Sequence, residues 1–169
     1  MESNIFHDSN NIKTNKSISK YCPDISLINS QLESDTGNTP LILSILSQDI
    51  KSFLELLSLG ASPNITNYSG ETPLHISINK GFSDYVILLL KYDVNPNIKN
   101  YLGQTAMHLA IINKLEENIL QRLKEKNGDI YNIKDNFNKT PFDYSKDIED
   151  KNYINILVKI FGNCKNKKK

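Results

Sequence analysis

The sequence predicts an all-α solenoid of stacked helix–turn–helix units, and three observations carry that prediction. One motif returns in phase: "GNTPLILS" at Gly37, "GETPLHIS" at Gly70 and "GQTAMHLA" at Gly103 lie 33 residues apart, and "NKTPFDYS" at Asn138 follows 35 residues later. A second motif shares the period, as "LLSLGASPNITN" from Leu56, "LLKYDVNPNIKN" from Leu89 and a looser "GDIYNIKD" from Gly128. Finally, each unit is too short to bury its own apolar face, so copies must cover one another, about three or more being needed for stability.

The elements follow in order. Residues 1–20 are polar and rich in Asn, Ser and Lys, which predicts a disordered tail. Residues 21–33 ("CPDISLINSQLES" begins at Cys22) form a capping segment over the first unit, with Pro23 placed for a helix start. The repeats occupy 34–66, 67–99, 100–134 and 135–163, the last as a C-terminal cap, and 164–169 form a frayed basic tail.

Within each unit, Thr39, Thr72, Thr105 and Thr140 stand where a helix N-cap is needed, since a hydroxyl can accept an orphan backbone N–H. Proline at the next position suits N1, which needs no N–H. Gly37, Gly70 and Gly103 precede the threonines by two residues and fit a turn of positive φ. Ser44, Ser77, Ala110 and Ser145 form a small-residue column that lets first helices approach. A second helix follows, as in "SDYVILLLKY" from Ser83, whose nearly continuous apolar run predicts cover around most of its circumference. Gly60 and Gly128 supply a left-handed stop after it, with Asp93 as a tolerable substitute. The two extra residues of the third unit fall between Leu123 and Gly128, so they lengthen that helix or its loop without shifting the core. In the fourth unit Asp143, Lys146, Asp147, Glu149 and Asp150 make a polar outer face, while Ile154, Leu157, Val158 and Phe161 are spaced as a buried helical stripe.

These columns, with "TPLH" at Thr72, "TAMHLA" at Thr105 and the paired "LLSLGASPN" and "LLKYDVNPN", resemble ankyrin repeats over roughly residues 34–163. The resemblance implies an ankyrin-repeat solenoid with hairpin-like turns projecting from one edge. Ile42 and Asp143 depart from it, standing where the family has histidine. It also implies protein binding through the turn tips and the concave face of the first helices. Those positions fall on Tyr68, Ser69, Glu71, Asn79 and Lys80 in the second unit and on Tyr101, Leu102, Gln104, Ile112 and Asn113 in the third. In the first they are Asp35, Thr36, Asn38, Leu46 and Ser47, and in the fourth Asn136, Phe137 and Lys139. Tyr68, Tyr101, Leu102 and Phe137 are the informative ones, because large stiff side chains anchor interfaces. The plainer alternative is that each tyrosine leans on its neighbouring turn.

The same slot holds His75 and His108, and the resemblance implies that each imidazole ties the turn to its helix; a titrating or metal role is the alternative. No metal-binding spacing, nucleophile elbow or phosphate loop occurs in the sequence, which argues for no catalysis, no cofactor and no small-molecule substrate. The net charge is +1 and Arg122 is the one arginine, so no broad attraction to nucleic acid or membrane is expected. The lysines at 165 and 167–169 leave weak nucleic-acid contact as an alternative. Heavy use of Asn, Ile and Lys suggests an AT-rich genome. The N-terminus lacks an apolar signal region and Cys22 and Cys164 form no disulfide framework, which predicts an intracellular protein; a monomer is expected. Two finer functions remain open: a host-directed effector or NF-κB-inhibitor-like regulator, and a regulatory subunit of an enzyme complex.

Overall fold

The chain was analysed as a computed structural model, which describes residues 18–32, 35–126 and 132–162. Among these residues the regular structure is entirely helical. The first three units are α1 (Pro40–Leu46) with α2 (Ile50–Ser58), α3 (Pro73–Asn79) with α4 (Ser83–Leu89), and α5 (Ala106–Ile112) with α6 (Glu117–Lys126). The fourth pairs a 3-10 helix, Pro141–Asp147, with α7 (Lys151–Phe161). First helices stack on one another from α1 through α3 and α5 to the 3-10 helix, and α4, α6 and α7 form the second row. The chain is thus an all-α solenoid.

All four threonines stand at N-caps, and in three of them the hydroxyl takes the expected bond; at Thr105 it does not. Thr39, Thr72 and Thr140 each accept the backbone N–H three residues on, and Pro40, Pro73 and Pro141 open their helices. The small column is buried in all four units, and Ser44, Ser77 and Ser145 bond their hydroxyls back to helix carbonyls at 2.7, 2.8 and 2.6 Å. That internal bonding is what allows a hydroxyl at a dry helix contact. The lengthened third unit extends its second helix to Lys126, and Leu123 stays buried in step with Leu57 and Leu90. Gly128 lies outside the described residues.

Several expectations need correction. Ile18 is fully buried and Lys20 pairs with Asp49 at 2.8 Å, so the cap begins no later than residue 18 and the tail does not extend to residue 20. Ile18 stands between Lys16, Ser17, Ser19 and Lys20, and a single isoleucine among polar neighbours gives little sequence signal. Cys22 and Ile28 join Ile18 in the core, and Tyr21 is buried beside them in sequence. The cap contains a 3-10 turn, Ile25–Leu27, capped by Asp24, so Pro23 precedes the N-cap instead of occupying N1. Asp49 caps α2 as well, and its bond to Lys20, with that from the Ser52 N–H, draws its carboxyl down to about 2.

Gly60 takes the left-handed conformation expected of it, but Asp93 does not. A different column does. Gln48, Gly81 and Lys114, between the two helices of each unit, have φ of 54, 70 and 53°. Three unlike residues there gave no recognisable signature. In α7 the buried stripe is Tyr153, Leu157 and Ile160; Val158 is exposed and Ile154 and Phe161 are half-buried. Periodicity alone could not separate two neighbouring stripes, and the choice is made by Tyr153, whose hydroxyl reaches the Ala110 carbonyl at 3.3 Å.

Candidate functional site

The projecting turns are built from a column that the repeat motif does not reveal, Asn67, Asn100 and Asp135. Each side-chain Oδ1 accepts two backbone N–H groups, from Ser69 and Glu71 (3.0 and 2.9 Å), Leu102 and Gln104 (3.0 and 2.9 Å), and Phe137 and Lys139 (2.9 and 3.0 Å). Asn and Asp favour such turns because a short side chain can replace a backbone acceptor. Their recurrence in phase was a usable signal, lost in the general abundance of asparagine.

The turns are also tied to one another. Tyr68 N–H donates to the Thr36 carbonyl (2.9 Å), Tyr101 N–H to that of Ser69 (3.0 Å) and Asn136 N–H to that of Leu102 (3.0 Å). Tyr68 therefore lies over Gly37, Tyr101 over Gly70 and Asn136 over Gly103, closely enough that a Cβ on any of these glycines would collide with it. This row corrects the grouping of the tip aromatics. Tyr68 and Tyr101 share a position with Asn136 and lean on the preceding turn; Leu102 and Phe137 share the position of Ser69.

Exposure divides the expected site residues. Tyr68 is 50% exposed, Tyr101 72%, Leu102 51% and Phe137 65%. Ser69, Asn79, Lys80, Ile112 and Asn113 are exposed as well, Glu71 and Lys139 are half-buried, and Asn113 Nδ2 reaches Asn79 Oδ1 at 3.5 Å along the concave row. Gln104 is only 8% exposed. Its amide N–H is taken by Asn100 and its carbonyl faces the His75 ring, so it belongs to the scaffold instead of the surface. In the first unit Asp35, Thr36 and Ser47 are exposed, Leu46 is half-buried and Asn38 is buried with its Oδ1 accepting from Asn67 (3.2 Å). Asn136 is exposed.

Both imidazoles are buried at the junctions of turn and helix. His75 Nδ1 accepts from Thr72 N–H (3.2 Å) and Thr72 Oγ1 (2.7 Å), while Nε2 faces the Gln104 carbonyl at 3.1 Å. His108 repeats this with Thr105 (3.1 and 2.9 Å) and the Lys139 carbonyl (3.2 Å). A nitrogen that accepts two donors and one that meets a carbonyl define the neutral tautomer with its proton on Nε2. Each ring thus joins its own cap to the next unit's turn. Asp143 takes over the cap half of this work in the fourth unit, accepting from Thr140 N–H and Oγ1 at 2.9 and 2.7 Å. Ile42 has no such group.

Burial lowers the pKa of both histidines below the ordinary 6.5, because desolvation disfavours the imidazolium. A base with a depressed folded pKa contributes stability that is complete above its unfolded value and is lost as pH falls below about 6.5. The melting temperature is therefore expected to be level from pH 8 to 7 and to fall between pH 6.5 and 5, above the range where carboxylates protonate. A thermal-melt series checks this; the slope in that window should vanish in a His75→Asn, His108→Asn protein.

No group of three His, Cys, Asp or Glu residues that could hold a metal occurs among the described residues, and none of their helices is long and apolar enough to cross a membrane. Cys22 is buried, its thiol donates to the Asp24 carbonyl at 2.9 Å, and burial raises its pKa. His7, Cys164 and the C-terminal lysines lie outside the described residues.

A stack of in-phase helical pairs, with braced turns along one edge and an open row of first helices, defines a repeat scaffold that presents a surface. Residues 51–135 match the family described as ankyrin repeats (3 copies), and the chain belongs to that family. A comparison with curated proteins finds no match. Ankyrin repeats are generally non-catalytic modules of protein–protein interaction.

Proposed function

We propose that this protein binds another protein through the tips of its second to fourth turns and the adjoining concave face, without catalysis of its own. The observation that carries the reading is the pair Leu102 and Phe137, half or more exposed on neighbouring turns that are held rigid by Asn100 and Asp135. Apolar side chains on a pre-ordered backbone bind at little cost in conformational entropy. Tyr101 extends the patch, and Ser69, Asn79, Lys80, Ile112, Asn113 and Lys139 border it. Tyr68 contributes mainly by covering Gly37.

The test is affinity capture with mass spectrometry, comparing the natural protein with a Leu102→Ser, Phe137→Ser variant. Central anchors each contribute more than about 1 kcal/mol, so the double change should weaken retention of a specific partner by more than tenfold. Circular dichroism should show unchanged helicity, since neither side chain is in the core. Equal retention of all partners by the variant would overturn the reading.

A further inference from the structure

The second and third turns enclose a groove of about 320 Å³, lined by Ser69, Glu71, Asn100, Tyr101 and Leu102. It combines an apolar wall, an exposed aromatic ring and one carboxylate. The carboxylate is held in place: Glu71 Oε1 accepts from Asn79 Nδ2 at 2.9 Å and Oε2 from Asn67 Nδ2 at 3.4 Å.

The fourth unit shows what this position does when its charge is balanced. Lys139 occupies the place of Glu71 and pairs at 3.4 Å with Asp147, eight residues on. Eight residues on from Glu71 stands Asn79, which is neutral. Lys80, next along the concave row, forms no ion pair with it among the described residues, and neither does any other cation. In the third unit the same position is the buried, neutral Gln104. Glu71 is therefore the one acid in its column and keeps its charge uncompensated beside an open groove.

Resting on the reading of the turns as a binding surface, we infer that this groove takes a basic side chain of the partner protein, arginine in preference to lysine. Its aliphatic stem lies along Leu102, its guanidinium plane stacks on the Tyr101 ring, and its N–H groups meet the Glu71 carboxylate. Each carboxylate oxygen has a second lone pair available beside the asparagine bond. A guanidinium suits the site better than an ammonium because it is planar, less strongly hydrated and able to stack while donating sideways.

The experiment is an NMR titration of the isotope-labelled full chain with N-acetyl-arginine amide, N-acetyl-lysine amide and N-acetyl-norleucine amide. The arginine probe should shift the amides of residues 69–71 and 100–102 saturably, more tightly than lysine and more tightly than the uncharged norleucine. Glu71→Gln keeps an acceptor for Asn79 while removing the charge. It should weaken the arginine probe by about threefold, the scale of a partly exposed charge pair, and leave norleucine unchanged, so that arginine's advantage shrinks to what stacking on Tyr101 supplies. Equal titration by arginine and norleucine overturns the inference, as does an arginine affinity that Glu71→Gln leaves undiminished, lysine binding as tightly as arginine, or no shift in the groove. The broader reading is judged separately, by loss of a partner in the Leu102→Ser, Phe137→Ser variant.

Discussion

Replacing Gly70 with alanine should destabilise the protein by about 2–4 kcal/mol, while the same change at Gly81 should cost only about 1–2 kcal/mol. The two glycines have nearly the same backbone, with φ of 73 and 70°. An L-residue is strained in either place. Their surroundings differ. A Cβ at Gly81 meets nothing within 4 Å, whereas at Gly70 it would stand 2.8 Å from the Tyr101 ring, 3.0 Å from the Tyr101 backbone nitrogen and 3.1 Å from Asn100 Cα. The ring could swing aside, but the backbone atoms belong to the turn that bonds to Ser69 and cannot retreat without breaking that link. The excess at Gly70 thus measures how tightly adjacent turns are stacked. Paired urea denaturation curves check it, and equal losses at both sites would show that the turns are looser than described.

His75→Ala should cost about 3–4 kcal/mol, and the His75→Ala, His108→Ala pair should leave the array largely unfolded at 37 °C. The change leaves the Thr72 N–H buried and unpaired, at about 1–3 kcal/mol, removes one of the two donors to the Gln104 carbonyl, which keeps the Asn100 N–H at 2.9 Å, and opens a cavity as well. Repeat stability is a sum of units and the interfaces between neighbours, so a bond spanning two units weakens both. The measurement is a denaturation midpoint for each variant. A loss below 1 kcal/mol would mean that the imidazole is dispensable to the junction. His75→Asn should recover part of the loss through its own acceptor near Thr72.

Much of the architecture was legible because repetition multiplies weak local signals. A threonine before a proline is a modest helix start when seen once; at Thr39, Thr72 and Thr140 in register it identifies first helices. The role of His75 emerged in the same way from His108. The turn braces were harder to see. Asn67 and Asn100 recur as regularly as the histidines, but in a chain so rich in asparagine their phase does not stand out, and Asp135 changes the residue type. The left-handed column of Gln48, Gly81 and Lys114 has no shared chemistry at all, because the backbone there is imposed by the packing of the two helices it joins.

The candidate surface was legible to a lesser degree. Exposure at Tyr101, Leu102 and Phe137 matched what the turn positions led one to expect, but the aromatics fell into two rows with different work. The spacing already held that distinction, since Tyr101 to Asn136 spans the same 35 residues as Leu102 to Phe137. Grouping by aromatic character concealed it. Gln104 and Asn38 share a column with Glu71 and Lys139, and only the fold shows that the first two are drawn inward.

The sequence by itself determined the number and phase of the units, the caps that start their first helices and the core positions that recur from unit to unit, since these depend on local bonding and on a period. The tertiary structure alone decided which tip residues lean on a neighbour and which stand free, which of two stripes α7 buries, and that Glu71 retains an unbalanced charge. The first two depend on atoms brought together from residues about 30 or more apart in the chain, and the third on which groups the fold sets around one carboxylate; no local preference reports on such a meeting.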